Sequence, residues 1–164
     1  MRFTFWKNTN RIDSENAAPA AAHFDLGRRG EALATEYLKQ SGYRLVASNF
    51  SLPIGRNLRD VTINAEIDVV AYDGATLCFV EVKTRASDDF APPQVNVDLR
   101  KRRQIARAAL AYRRMLALTT APYRFDVVTV VLPVDGSPPR IQLIKNFWTA
   151  ETLRRRTTYQ AHWE

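Results

Sequence analysis

Residues 63–85 read I-N-A-E-I-D-V-V-A-Y-D-G-A-T-L-C-F-V-E-V-K-T-R, and this stretch constrains the fold more than any other. Two β-rich runs flank a Gly-containing loop, which predicts a hairpin. V-V-A and C-F-V are apolar without alternation, so both strands are expected to be buried on both faces. Side chains alternate along a strand. Asp68 therefore shares a face with Val70 and Tyr72, and Glu81 and Lys83 share one with Leu77 and Phe79. A loop over 73–76 sets Tyr72 against Leu77, Val70 against Phe79 and Asp68 against Glu81. A two-residue turn at 73–74 sets Asp68 against Phe79 with Glu81 diagonal to it, and a three-residue loop would send the acids to opposite faces.

Like charges opposed on a sheet are destabilising, and a desolvated carboxylate pair is costly unless a cation lies between its members. Oxygen ligands with no nearby His or Cys favour a hard ion, Mg²⁺ or Mn²⁺, over zinc. Lys83 stands on the Glu81 face, where an ammonium can hold a nucleophilic water or a developing phosphate charge. The plainer alternative is a half-exposed strand on which Asp68 simply pairs with Lys83.

A chain of 164 residues suits one domain with a full core. Its net charge of +7 points to a polyanionic partner. Cys78, the single cysteine, has no disulfide partner within the chain, which fits a reducing compartment. His23 and His162 are isolated in sequence and read as surface or tail residues. No apolar run approaches the roughly 18 residues of a membrane span. The opening M-R-F-T-F-W-K is too short for a signal peptide, so the expected location is cytoplasmic.

Residues 1–24 show no sustained period and read as a flexible extension, with Pro19 against a long helix. Asp25 can cap a helix over 25–41 that stops at Gly42. Its apolar face includes Gly30, which would let the helix approach a sheet, and Glu31 lies at the margin of that face. Glu31 there is either a third acid for the site or an ordinary first-turn acid favoured by the helix dipole. Residues 43–50 read as a strand, and 51–61 as a loop whose Arg56 and Arg59 could hold phosphates. Residues 87–96 read as a loop, after which Asp98 caps a helix over 99–118. On that helix Ile105, Ala108, Ala109, Tyr112 and Leu116 fall within about 100° of arc. Arg100, Arg103, Arg107 and Arg114 cluster opposite them, either as a track for a nucleic-acid backbone or as a solvated face, and Lys101 and Gln104 lie between. Strands are expected over 123–132 and 140–145, with Asp126 a strand-start residue without a chemical role. A short terminal helix is expected over 149–157, with basic charge at 154–156. The domain is expected to run from 25 to 147, with a basic tail over 148–164.

Taken together, G-R-R-G-E-A-L-A at 27–34, E-I-D-V-V-A at 66–71, F-V-E-V-K-T-R at 79–85 and the helix at 101–112 resemble the YraN-type family of uncharacterised endonuclease-like proteins. These are relatives of archaeal Holliday-junction resolvases in the PD-(D/E)xK nuclease superfamily. The resemblance implies an α/β, restriction-endonuclease-like fold, a central mixed sheet flanked by helices. It places the family's helix acid on Glu31, its metal-binding acids on Asp68 and Glu81, and its catalytic lysine on Lys83; the carbonyl of Val82 is a further expected ligand. Two departures stand out: Ala65 where the family usually has Gly, and a longer segment between Asn49 and Glu66.

The function expected is Mg²⁺- or Mn²⁺-dependent endonucleolytic hydrolysis of DNA, including branched or single-stranded forms. Arg85 joins Arg100, Lys101, Arg103, Gln104, Arg107 and Arg114 as expected DNA contacts, and a homodimer would suit the cutting of both strands of a junction. The rival expectation is a nucleic-acid-binding module that keeps the fold without turnover; a partner-binding structural protein is a third.

Overall fold

In the computed structural model, which describes residues 17–87 and 97–154, strands β1 (Arg44–Arg56), β2 (Thr62–Asp73), β3 (Thr76–Arg85), β4 (Tyr123–Val131) and β5 (Arg140–Trp148) form one sheet. Their order in space is their order in sequence, and every neighbouring pair is antiparallel except β3 and β4. Helices α1 (Ala17–Gln40) and α2 (Leu99–Met115) cover the two faces, and α3 (Ala150–Arg154) follows β5. This is a mixed α/β sheet flanked by helices, as the resemblance implied. Among the described residues no helix is long and apolar enough to cross a membrane.

The central hairpin adopts the register of the longer-loop reading, with Tyr72 opposite Leu77 and Val70 opposite Phe79. Pairing continues to Asp73 and Thr76, leaving Gly74 and Ala75 as the turn. Gly74 has φ +59°, a conformation that glycine adopts without a Cβ clash. Alternation then divides two cores. Leu77, Phe79 and Phe125 pack with Ile105, Ala108 and Tyr112 on the α2 side. Cys78, Val80 and Val128 pack with Ala34 and Leu38 on the α1 side.

Several sequence expectations are corrected. The segment 51–61, read as a loop, is mostly strand: β1 runs to Arg56 and pairs with β2 as far as Arg56 opposite Thr62. Pro53 and Gly55 obscured it, but β1 is an edge strand, where a missing N–H costs no ladder bond, and a register shift lies between these two residues. Helix α1 starts at Ala17, so Asp25 lies within it and is not its cap. Pro19 falls in the first turn, where its absent N–H would have no intrahelical partner. Helix α2 is capped by Asp98, which accepts the Lys101 amide at 2.8 Å, but it ends at Met115. Leu116 is the C-cap, is 48% exposed and does not join the apolar face. Residues 1–16, most of the loop after Ser87 and the chain from residue 155 lie outside the described residues.

Candidate functional site

β2 and β3 pair only as far as Val69 opposite Val80, and then the sheet forks. β2 continues with β1 as a two-stranded arm, and β3 continues beside β4. Asp68 and Glu81 are the next residues along the two branches, so the acid pair stands at the fork. Ile67 belongs to the α2-side core and Val69 to the α1-side core, as does Ala71, while Val70 returns to the α2 side. Alternation therefore slips beside Asp68, where Asn49 of β1, flanked by the partners of Ile67 and Val69, has φ +50°. The Asp68 carboxylate spans the fork and accepts the Val82 amide at 2.7 Å, replacing a ladder bond that the parted strands no longer make.

Glu81 is 1% exposed. Its Oε1 accepts a 2.8 Å hydrogen bond from Lys83 Nζ, and its Oε2 lies 3.3 Å from Lys101 Nζ. The Lys101 contact is an ion pair without hydrogen-bond geometry, which leaves the buried Oε2 with no hydrogen-bond partner. Burial, and then the negative charge of Glu81, push the Asp68 pKa up to about 7, against the pull of the Val82 amide and Lys101. Burial disfavours the Lys101 ammonium, but the charges of Glu81 and then Asp68 outweigh it and raise the Lys101 pKa.

Glu31 arrives from the α1 layer, and its charge adds to the upward pressure on Asp68. Gly30 makes this approach feasible: a Cβ there would stand 1.8 Å from Thr84 Oγ1 on β3. Where β2 and β3 part, the sheet no longer separates its two layers, so acids and lysines from both sides can act on one spot. The structure thus brings Asp68, Glu81, Lys83, Val82 and Lys101 together, with Glu31 close by. Arg100, Arg103, Gln104 and Arg107 line an adjacent groove along α2. Arg114 is exposed further along the helix and Arg85 is exposed at the end of β3; neither lines that groove.

Among the described residues no three acids or other metal-binding side chains converge closely enough to hold an ion by themselves. Mg²⁺ does not need such a cage, since it commonly keeps several waters and binds through one or two carboxylates plus substrate phosphate. The donor set fits a hard ion: the carboxylates of Asp68 and Glu81, the latter with a buried Oε2 that has no hydrogen bond.

Two features escaped the sequence reading. Arg113, on α2 among surface arginines, is only 8% exposed; it stacks 3.9 Å from the Tyr123 ring centroid and donates to the carbonyls of Thr119 and Ala121. Asp126 is fully buried and accepts hydrogen bonds from Tyr43 Oη, Arg124 Nε and the Asn146 amide. Arg124 and Lys145 also share Asp73. This network ties β4, β5, the hairpin turn and the end of α1 together. Its groups satisfy one another, and its role is structural.

A sequence model of the uncharacterised protein family UPF0102 matches residues 30–130, from Gly30 through the acid pair and α2 into β4. A UPF0102 protein of Koribacter versatilis is 41% identical over 124 residues, covering 76% of this chain and 79% of that protein. Relatives with the same family name from Geotalea uraniireducens and Porphyromonas gingivalis are each 43% identical, covering 74% and 77% of this chain and 87% and 85% of their own lengths. With the match spanning the second half of α1, the sheet fork and the whole of α2, the chain belongs to the UPF0102 family.

Proposed function

We propose that the chain is a divalent-metal-dependent nuclease that hydrolyses phosphodiester bonds in DNA, with branched or single-stranded structures as its substrates. The observation that supports this most is the buried Glu81 beside Asp68, its Oε2 lacking a hydrogen bond, with two lysine ammoniums on the same carboxylate. Asp68, Glu81 and the Val82 carbonyl would hold Mg²⁺ or Mn²⁺. The chemistry such an ion supplies at a carboxylate pair is activation of a bound water and neutralisation of charge on the scissile phosphate. Lys83 orients the water or stabilises charge developing on the phosphate, and Lys101 holds Glu81 in place from the other side. Glu31 completes the acidic rim. Arg100, Arg103, Arg107 and Arg114, all exposed, bind the backbone on a chain of net charge +7. Cutting both strands of a junction calls for a homodimer, and the work belongs in the cytoplasm, where the lone buried Cys78 stays reduced.

A second reading, a nucleic-acid-binding module without turnover, has one observation in its favour: Lys83 and Lys101 already compensate Glu81 without any metal. Incubation of linear, flapped and four-way DNA with Mg²⁺ or Mn²⁺, beside an Asp68→Ala protein prepared identically, separates the two. Cleavage by the parent alone supports the nuclease; salt-dependent binding without cleavage by either favours the module.

A further inference from the structure

A groove of about 850 Å³ runs between α2, the β1–β2 arm and α3. It sits beside the fork, since Arg100 and Gln104 on its wall flank Lys101, which reaches Glu81. Its volume falls within the roughly 300–1,000 Å³ typical of ligand-binding clefts.

The lining is of two kinds. Ile54 and Ile63 from the arm, Leu110 from α2 and Leu153 from α3 give apolar walls, while Arg100, Arg103 and Arg107 supply exposed guanidiniums. No carboxylate among the described residues forms a salt bridge with these three arginines. Arg113 contributes an immobile plane. It is 8% exposed, stacked on Tyr123, held by two carbonyls, and its Nε has no hydrogen-bond partner.

An occupant matching these walls is apolar on one side and polyanionic on the other. A duplex offers only phosphates to such a surface, because its bases are stacked inside. An unpaired strand offers both, its base faces to an apolar wall and its phosphates to cationic side chains that follow the backbone. Resting on the nuclease reading of the adjacent fork, we infer that this groove seats unpaired nucleotides of the substrate strand. The bases lie against Ile54, Ile63 and Leu110, and the phosphates lie along Arg100, Arg103 and Arg107. The substrate class is then DNA with an unpaired segment next to the scissile phosphate.

Fluorescence anisotropy of the full chain in chelator, so that nothing is cut, tests this with a labelled single strand, the same strand carrying abasic residues, and its duplex. The single strand should bind about tenfold more tightly than the other two, as burial of roughly 50–60 Å² of base face against the aliphatic wall would give. Leu110→Gln, at a position already 40% exposed and so tolerant of the change, should remove most of that preference and leave duplex affinity within about twofold. Equal, salt-dependent binding of all three probes would overturn the groove inference and leave the nuclease reading standing. No binding of any probe would remove both.

Discussion

Asp68 accepts the backbone N–H of Val82 at 2.7 Å across the fork between β2 and β3, so one carboxylate both bridges the parted strands and lies within reach of the Glu81 charge. Asn at this position keeps an oxygen for the Val82 amide but carries no charge. The folded-state pKa of Asp68 is raised, to about 7. The folded, metal-free protein therefore holds a proton that the unfolded chain releases near pH 4, and this contribution to stability is lost as pH rises through about 7. Asp68→Asn escapes that loss. In chelator its urea stability should match that of the parent only below about pH 4, and its advantage should grow by roughly 1–3 kcal/mol between pH 5 and pH 8, given about 1.4 kcal/mol per tenfold change in proton affinity. A difference that does not vary with pH would contradict the assignment.

Gly30→Ala tests the approach of α1 to β3. Alanine is the better helix former by about 1 kcal/mol, but its Cβ would meet Thr84 Oγ1 at 1.8 Å and Thr84 Cβ at 2.7 Å. The helix must then lift, at a typical overpacking cost of about 1–3 kcal/mol. Denaturation should show net destabilisation. Thr84→Ala added to it should give partial rescue, because the two nearest atoms disappear and the Cβ remains. A stabilised single variant would show that α1 does not lie this close.

The acid pair was legible in the sequence because the turn residues of a single hairpin bring both carboxylates to the same end of it, but the fork and the slip in alternation beside Asp68 were not. Gly30 was legible for a similar reason, standing on a helix face among apolar residues. The arm was not. Pro53 and Gly55 are loop signals locally, and only pairing with residues 62–67 makes strand of them. Nor was Arg113, whose helical position looks like surface until the chain returns over it at Thr119 and Ala121. Asp126 needed Tyr43, 83 residues away, before it could be read as a buried hub. The arm and Asp126 depend on strand pairing and packing that no local pattern encodes, whereas Arg113 is covered by the turn that follows its own helix.

Burial, and then the charge of Asp126, push the Cys78 thiol from its ordinary 9.0 up to about 12. In the native protein at pH 8 it should react with a disulfide reagent only on the timescale of opening, and fully once unfolded. The sign of the linkage follows: the unfolded chain ionises this thiol first, so its contribution to stability is intact below about pH 9 and falls away toward pH 12. Rapid labelling of folded protein at pH 8 would refute the burial of β3.

Arg103→Ala combined with Arg107→Ala should weaken DNA binding by similar factors across sequences. It should also flatten the salt dependence by about one unit of logarithmic slope for each phosphate that is no longer neutralised. Both side chains are exposed, so the fold should be unaffected. An unchanged slope would mean that this face of α2 does not follow the backbone.

Lys83 and Lys101 make unequal claims on Glu81. Lys83 donates a 2.8 Å hydrogen bond to Oε1, whereas Lys101 lies 3.3 Å from Oε2 without forming one. Oε2 is thus the oxygen open to another cation, and the Lys101 ammonium is the charge that repels it. Lys101→Met keeps the aliphatic stem and removes that repulsion, while Lys83 still compensates the buried carboxylate, so the fold should survive with a loss below the roughly 3–5 kcal/mol of a buried charge left without any partner. Calorimetric titration with Mn²⁺ should then show affinity raised several-fold, in the direction Coulomb's law requires for a like charge withdrawn from within about 4 Å. If DNA cleavage falls in the same variant while ion affinity rises, Lys101 acts on the substrate phosphate as well as on Glu81. An ion affinity that does not change would place the binding oxygen elsewhere.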